Sequence, residues 1–268
     1  MINFPMNTSE PLNKHTVLSI NQQFIQVSHN TQNIHSINSG KTLPSTNTNT
    51  SQPTTTSAYG TGTSSESNSN QTIFNNHIAN KPCPPLLKPI QKGQKTPLEN
   101  GTKLNAIRVC IGWNVTNHEC DADLSAFLLD NTGKVIGDAW FVFYGQKASP
   151  DGSTLFSIDN SDDREVISID FNKINPNVSK IVFVLTINEA LEKHFNFSML
   201  KDVYIRIMNS ASSNELVSFK VNDYYSNIIS MMIGEIYMYN GLWKFNAIGN
   251  GVAKDLAGLC ELYGVQTI

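Results

Sequence analysis

The chain has 268 residues, a formal net charge of −3 and only 15% charged residues. That balance, with no Lys/Arg stripe and no basic–aromatic interleaving, argues against nucleic acid as a partner. No apolar run is long enough to span a bilayer, and the start MINFPMNTSEPLNK lacks the pattern of a secretory leader, so a cytoplasmic location is expected.

Residues 1–80 hold four Asp, Glu, Lys or Arg residues: Glu10, Lys14, Lys41 and Glu66. Asn, Thr, Ser and Gln dominate them, and such a stretch cannot bury enough apolar surface to offset the entropy of ordering it. A disordered tail is expected over 1–80, interrupted by two short apolar patches, HTVLSINQQFIQVS and QTIFNNHIAN. The Pro- and Lys-rich residues 81–103 read as a linker and lead-in. All three tryptophans lie after residue 100, and a domain over 88–268, about 170 residues in its folded part, is an ordinary size for one core.

Strand-like runs then alternate with turn signals. AIRVCIGWNV (106–115) is rich in β-branched residues. ADLSAFLLD (122–130) leads through DNTG, a hairpin-type turn, into KVIGDAWFVFYG (134–145). EVISIDF (165–171) alternates cleanly. After the turn NPNVSK, the nearly continuous apolar KIVFVLTI (180–187) predicts a strand buried on both faces. DVYIRIMNS, LVSFKV and IISMMIGEIYMYNGLWKFNAIG follow, the last with Asn240-Gly241 as its turn. Within it, Met231, Met232 and Ile233 are expected to point inward, and Glu235 and Lys244 to pair across strands. Two short helices are expected, in NEALEKHF and in DLAGLCELYG, the latter stopped by Gly264. The pattern predicts a mainly β fold, an antiparallel sandwich with one or two short helices behind a disordered tail.

Acidic residues crowd into two loops of this weakly charged chain. HECDADLSAFLLD (118–130) carries Glu119, Asp121, Asp123 and Asp130. SPDGSTLFSIDNSDDREVISID (149–170) carries Asp151, Asp159, Asn160, Asp162, Asp163 and Glu165. Crowded carboxylates repel one another unless something cationic lies between them, and calcium takes six to eight such oxygens. The D-x-D-x-S at Asp121 is not an EF-hand, because Ala126 replaces the turn glycine and Thr132 the final Glu. The competing reading is strand-end acids that cap backbone amides. Asp130, Asp151 and Asp170 are read that way or as solvent-facing. Ser125, His194 and Asp123 make a triad on paper, but no G-x-S-x-G elbow accompanies them. A carboxylate pair for glycoside chemistry lacks a sugar platform, and GNGVAKDL before the last helix matches neither phosphate fingerprint. No catalytic activity is expected. The cysteines Cys83, Cys110, Cys120 and Cys260 form no C-x-x-C pair. Cys110 and Cys260 read as buried, and Asp121 is expected to raise the neighbouring Cys120 thiol.

Taken in order, IGWNV, DADLSAFLLDNTGKV, FVFYG, SPDGS, DN, DDREVISIDF, KIVFVLTINEA, NFSMLKDVYIRI and GEIYMYNGLWKFNAIGNGVAKDLAGLCELYGV resemble the TerD family over residues 88–266. The resemblance implies a β-sandwich, bound calcium (one or two ions here), and a role in stress response or tellurite resistance. An amoebal cyclic-AMP-binding relative makes cyclic-nucleotide binding the alternative. The family's D-x-D falls on Asp121 and Asp123, its DN on Asp159 and Asn160. Its D-D-E falls on Asp162, Asp163 and Glu165, with Arg164 inserted, and its N-F on Asn196 and Phe197. These residues, with Asn196 as an added oxygen, form the expected metal set. The family's glycine-rich stretch between DN and D-D-E shrinks here to Ser161, which puts one of two sites in doubt, and Arg164 offers a charge in place of calcium. The implied partners are calcium, other proteins of a stress-response complex, and a membrane surface touched peripherally through calcium. The oligomeric state is not implied.

Overall fold

The computed structural model describes residues 79–266 except 100, 102 and 160; the tail expected over 1–80 lies outside this range but for its last two residues. Two antiparallel sheets face each other. The six-stranded sheet runs β1 (Lys95–Pro97), β11 (Leu242–Val252), β10 (Ser230–Tyr239), β7 (Lys180–Ile187), β3 (Ala122–Leu129), β4 (Phe141–Val142). The five-stranded sheet runs β5 (Thr154–Ile158), β6 (Glu165–Asp170), β2 (Ala106–Val115), β8 (Leu200–Asn209), β9 (Glu215–Lys220). The helices are α1 (Ala190–Lys193) and α2 (Leu256–Tyr263).

Side-chain alternation explains both layers. From β7, Ile181, Phe183, Leu185 and Ile187 enter the core between the sheets, while Val182 and Val184 point outward. That outer face is covered by α2, whose Leu256, Leu259 and Cys260 pack on Phe127, Leu129 and Phe141. β7 is therefore apolar on both faces, as its unbroken run predicts. Phe127, Phe183 and Phe245 are fully buried, each worth roughly 2–3 kcal/mol of transfer free energy. Asp255 caps α2 by accepting from the Gly258 amide at 2.9 Å. Gly264 ends it at φ +82°, in the left-handed region that favours glycine.

Several details differ from the sequence reading. The expected strand 134–145 narrows to β4, because its first half turns away to meet α2. There the Val135 amide donates to Tyr263 O at 2.9 Å and Lys134 Nζ to Leu262 O at 2.6 Å. Ordinary alternation puts Met231 and Ile233 in the core and leaves Met232 on the α2 side, and a shift in pairing between Met232 and Gly234 then lets Ile236, three residues after Ile233, face the core as well. Glu235 does not pair with Lys244. It lies opposite Asn246 and bonds Lys180 at 2.9 Å, while Lys244 sits over the Tyr239 ring at 4.4 Å. The lead-in expected as linker is packed: Pro97 lies in edge strand β1, where its missing N–H is tolerated, and Lys88 and Ile90 bond Ser218 of β9.

Candidate functional site

The two acidic loops meet one end of the sandwich and form two distinct groups. The first is built on β3 and β6. Asp121 precedes β3, and its carboxylate accepts the Ala122 amide at 2.8 Å. Asp123 lies on the α2 side of β3, with Ser125 and Phe127. Glu165 begins β6 in the other sheet and is 2% exposed. Its Oε2 accepts the Leu124 amide at 2.6 Å, so the carboxyl bridges the sheets. Burial, then the charge of Asp121, pushes Asp123 up to about 8. Burial, then Asp123, raises Glu165 well above the usual carboxylate range. Two buried acids raised in this way are poised for a cation.

Asp123 also lines a cavity of about 10 Å³, enough for about one water-sized sphere. Ser125, Tyr144, Thr186, Asn188 and Leu256 line it too. Ser125 Oγ and Asn188 Oδ1 are buried with no hydrogen-bond partner among the described residues. An orphaned buried oxygen costs about 1–3 kcal/mol, and two beside a raised carboxyl make an oxygen-rich pocket short of a cation or water. Among the described residues, no three His, Cys, Asp or Glu side chains form a metal cage by themselves. A cation here needs amide, hydroxyl or main-chain oxygens as well, the mixed set that calcium accepts. Asp123, Asn188 and Ser125 offer it from the cavity wall, and Asp121 and Glu165 belong to the same electrostatic group.

The second group is already neutralised from within. Asp163 is 1% exposed and takes Arg206 Nε at 2.9 Å, Arg206 Nη2 at 2.7 Å and the Tyr204 hydroxyl at 3.0 Å. The carboxylate in turn raises the Arg206 guanidinium, against the burial that lowers it. Gly112 is required beneath this pair, because the Tyr204 ring occupies the space of a Cβ there. Asp159 bends back on its own loop, accepting from Ser161 N at 2.9 Å and Ser161 Oγ at 2.7 Å. Asp162 is 73% exposed at its side chain, 3.8 Å from Arg206. Asn196 caps a short turn through Ser198 N and Oγ, at 3.1 and 2.6 Å. Asn160 lies outside the described residues.

Of the eight expected ligands, the structure brings Asp121, Asp123 and Glu165 into one electrostatic group. Asp159, Asp162 and Asp163 form the other, and Asn196 is turned to its own loop. Arg164 stands between the groups and is buried, its guanidinium carbon 5.3 Å from the Trp113 ring centre. Its Nε donates to Trp113 O and its Nη2 to Ala79 O at 2.7 Å. Burial lowers it, and Asp121 and Glu165 hold it up.

Arg206, Tyr204, Asn188 and Lys81 were missed in the sequence. Arg206 had a signal: in DVYIRIM the apolar residues alternate, and an Arg on the opposite face of a strand asks for an acid. Asn188 had none. The paper triad does not assemble, because His194 is exposed at φ +56° while Ser125 is buried. At the start of α2 the Asp255 carboxylate takes the place a phosphate would need. The Cys120 thiol is pushed up to about 12, by burial first and Asp121 second. Among the described residues no helix is long and apolar enough to cross a membrane.

The TerD domain family matches residues 88–263. The tellurium resistance protein TerD of Serratia marcescens is 34% identical over 186 residues, 66% of this chain and 97% of its own length. General stress protein 16U of Bacillus subtilis is 34% identical over 187 residues, with the same shares covered. Chemical-damaging agent resistance protein B of Clostridium acetobutylicum is 38% identical over 138 residues, 49% of this chain and 99% of its own.

Proposed function

The chain belongs to the TerD family, and from that membership we propose that it is a non-enzymatic calcium-binding module of stress response or tellurite resistance. The carrying observation is the pocket at Asp123: one raised carboxyl and two orphaned buried oxygens around one small cavity, with the raised Glu165 carboxyl in electrostatic contact with Asp123. Of the three carboxyls in this group, Asp121 and Glu165 act on the one guanidinium, Arg164, and Asp123 acts on Glu165. When ionised the three leave an excess of two negative charges, which a divalent ion matches. Calcium would supply that charge.

The chain's own residues would do the rest. Glu165 reaches from β6 to the Leu124 amide of β3, so fixing its carboxylate fixes the two sheets to each other. Asn188, just after β7, donates its amide hydrogen to Asp121 O at 2.9 Å and offers its side-chain oxygen on the same side. An ion bound to the folded form alone stabilises it by mass action. The names of the relatives support a stress or resistance setting, with protein partners of such a complex and peripheral membrane contact as the implied associations.

Terbium, which takes calcium sites and is excited through nearby aromatic rings, tests the location. The full chain should give luminescence that calcium displaces. Asp123→Asn should abolish it, and Tyr144→Phe should dim it without weakening binding. Equal signal from Asp123→Asn and the unaltered chain would contradict the assignment.

A further inference from the structure

Lys81 reaches into the loop between β5 and β6 and meets a ring of main-chain oxygens. Its Nζ lies 2.8 Å from Asp163 O and 3.3 Å from both Asp159 O and Ser161 O. These are alternate residues of one turn, so their carbonyl dipoles converge on a single point. An ammonium, a compact charge with three N–H donors, fills such a point one bond per carbonyl. Carbonyl oxygens are also what hard metal cations take.

The ammonium is delivered by a fixed backbone, not by a long side chain searching the surface. The Lys81 amide donates to Asn114 Oδ1 at 2.9 Å, and Asn114 Nδ2 returns a bond to Lys81 O at 2.9 Å. The Asn80 side chain pairs with Val115 in both directions, at 3.0 and 2.9 Å. Ala79 O accepts from the buried Arg164. Residues 79–81 thus form a strap stitched to β2 by two side-chain amides and to the bend before β6 by the Arg164 guanidinium. A group tethered this way competes with free ions at high effective concentration.

We propose that Lys81 is an internal cation that occupies the 159–163 loop and closes it to metal ions, so that the strap sets how many ions the domain takes. The strap lies before the residues that match the family, so the device belongs to this chain's own extension. Within the loop, Asp163 and Asp159 are already committed, the first to Arg206 and the second to Ser161. Removing the Lys81 charge frees the three carbonyls, with the exposed Asp162 carboxylate beside them.

Calcium titration by calorimetry on the full chain tests this, in the unaltered protein, Lys81→Met and Lys81→Gln. Each of these also carries Asp123→Asn in a second set. Both Lys81 variants should bind one more equivalent than the unaltered chain, and the gain should persist with Asp123→Asn. The same stoichiometry in all three proteins overturns the proposal. The two readings fail separately: if the Asp123 pocket holds no ion, Asp123→Asn changes nothing, yet the Lys81 variants still gain their equivalent.

Discussion

Glu165 of one sheet accepts the Leu124 amide of the other at 2.6 Å. Along the open side of β3, before β4 begins to pair, this amide has no strand partner, and the buried carboxyl takes the place of one. The same carboxyl is raised by Asp123 and Asp121. Glu165 is thus a structural link and a candidate ligand at once, and the two roles separate by substitution.

Glu165→Ala leaves the Leu124 amide buried and unpaired, a loss of about 1–3 kcal/mol. Glu165→Gln keeps an acceptor and removes the repulsion with Asp123, so in chelator it should be at least as stable as the unaltered chain. Urea unfolding in the presence of chelator reads both. Equal loss from Ala and Gln would mean that the charge, not the bond to Leu124, holds the sheets together.

Arg206 pairs with Asp163 across side chains that are 13% and 1% exposed. Breaking a pair this buried from one side costs about 3–5 kcal/mol, because the remaining charge is stranded. Arg206→Met should therefore lower the melting temperature sharply while leaving the calcium affinity of the Asp123 pocket unchanged. A parallel loss of affinity would place Arg206 in the binding site.

The raised acids give the metal-free protein a pH dependence of stated sign. Asp123 lies near 8 when folded, against an ordinary value of 3.8. Between those limits the folded state keeps a proton that the unfolded chain has lost, so stability falls as pH rises through the window and is lowest above 8. Glu165 acts in the same direction. In chelator the melting temperature should be higher at pH 5.5 than at pH 8.5, and Asp123→Asn should flatten the difference. Added calcium should stabilise most at the higher pH, where its ligands are ionised. A metal-free protein most stable at pH 8.5 would contradict the buried acids.

Strands that bury alternating or continuous apolar runs were legible in the sequence. β2, β3, β6, β7, β8, β10 and β11 stand close to where their patterns place them, and so do both helices. What failed depended on contacts between distant segments. KVIGDAWFVFYG has the composition of a strand, yet its first half is drawn off to the end of α2. β5 lies inside what reads as an acidic loop, because only Thr154 and Phe156 of its five residues are buried. Among the acids, composition could not separate the two groups. Asp162, Asp163 and Glu165 are near neighbours in sequence, but Asp163 lies in the bend before β6 and turns toward Arg206 of β8, whereas Glu165, the first residue of the strand, reaches β3. Lys81 read as linker charge, since no local pattern tells a solvated lysine from one aimed into a turn 80 residues away.

On the proposed reading, Asp123 and Glu165 hold a calcium ion. Calorimetric titration of the full chain beside Asp123→Asn/Glu165→Gln, with the fold of both checked by circular dichroism, tests it most directly. One calcium per unaltered chain and none in the folded double variant is the predicted result. Binding that survives the double substitution, or no binding by the unaltered chain, would contradict it.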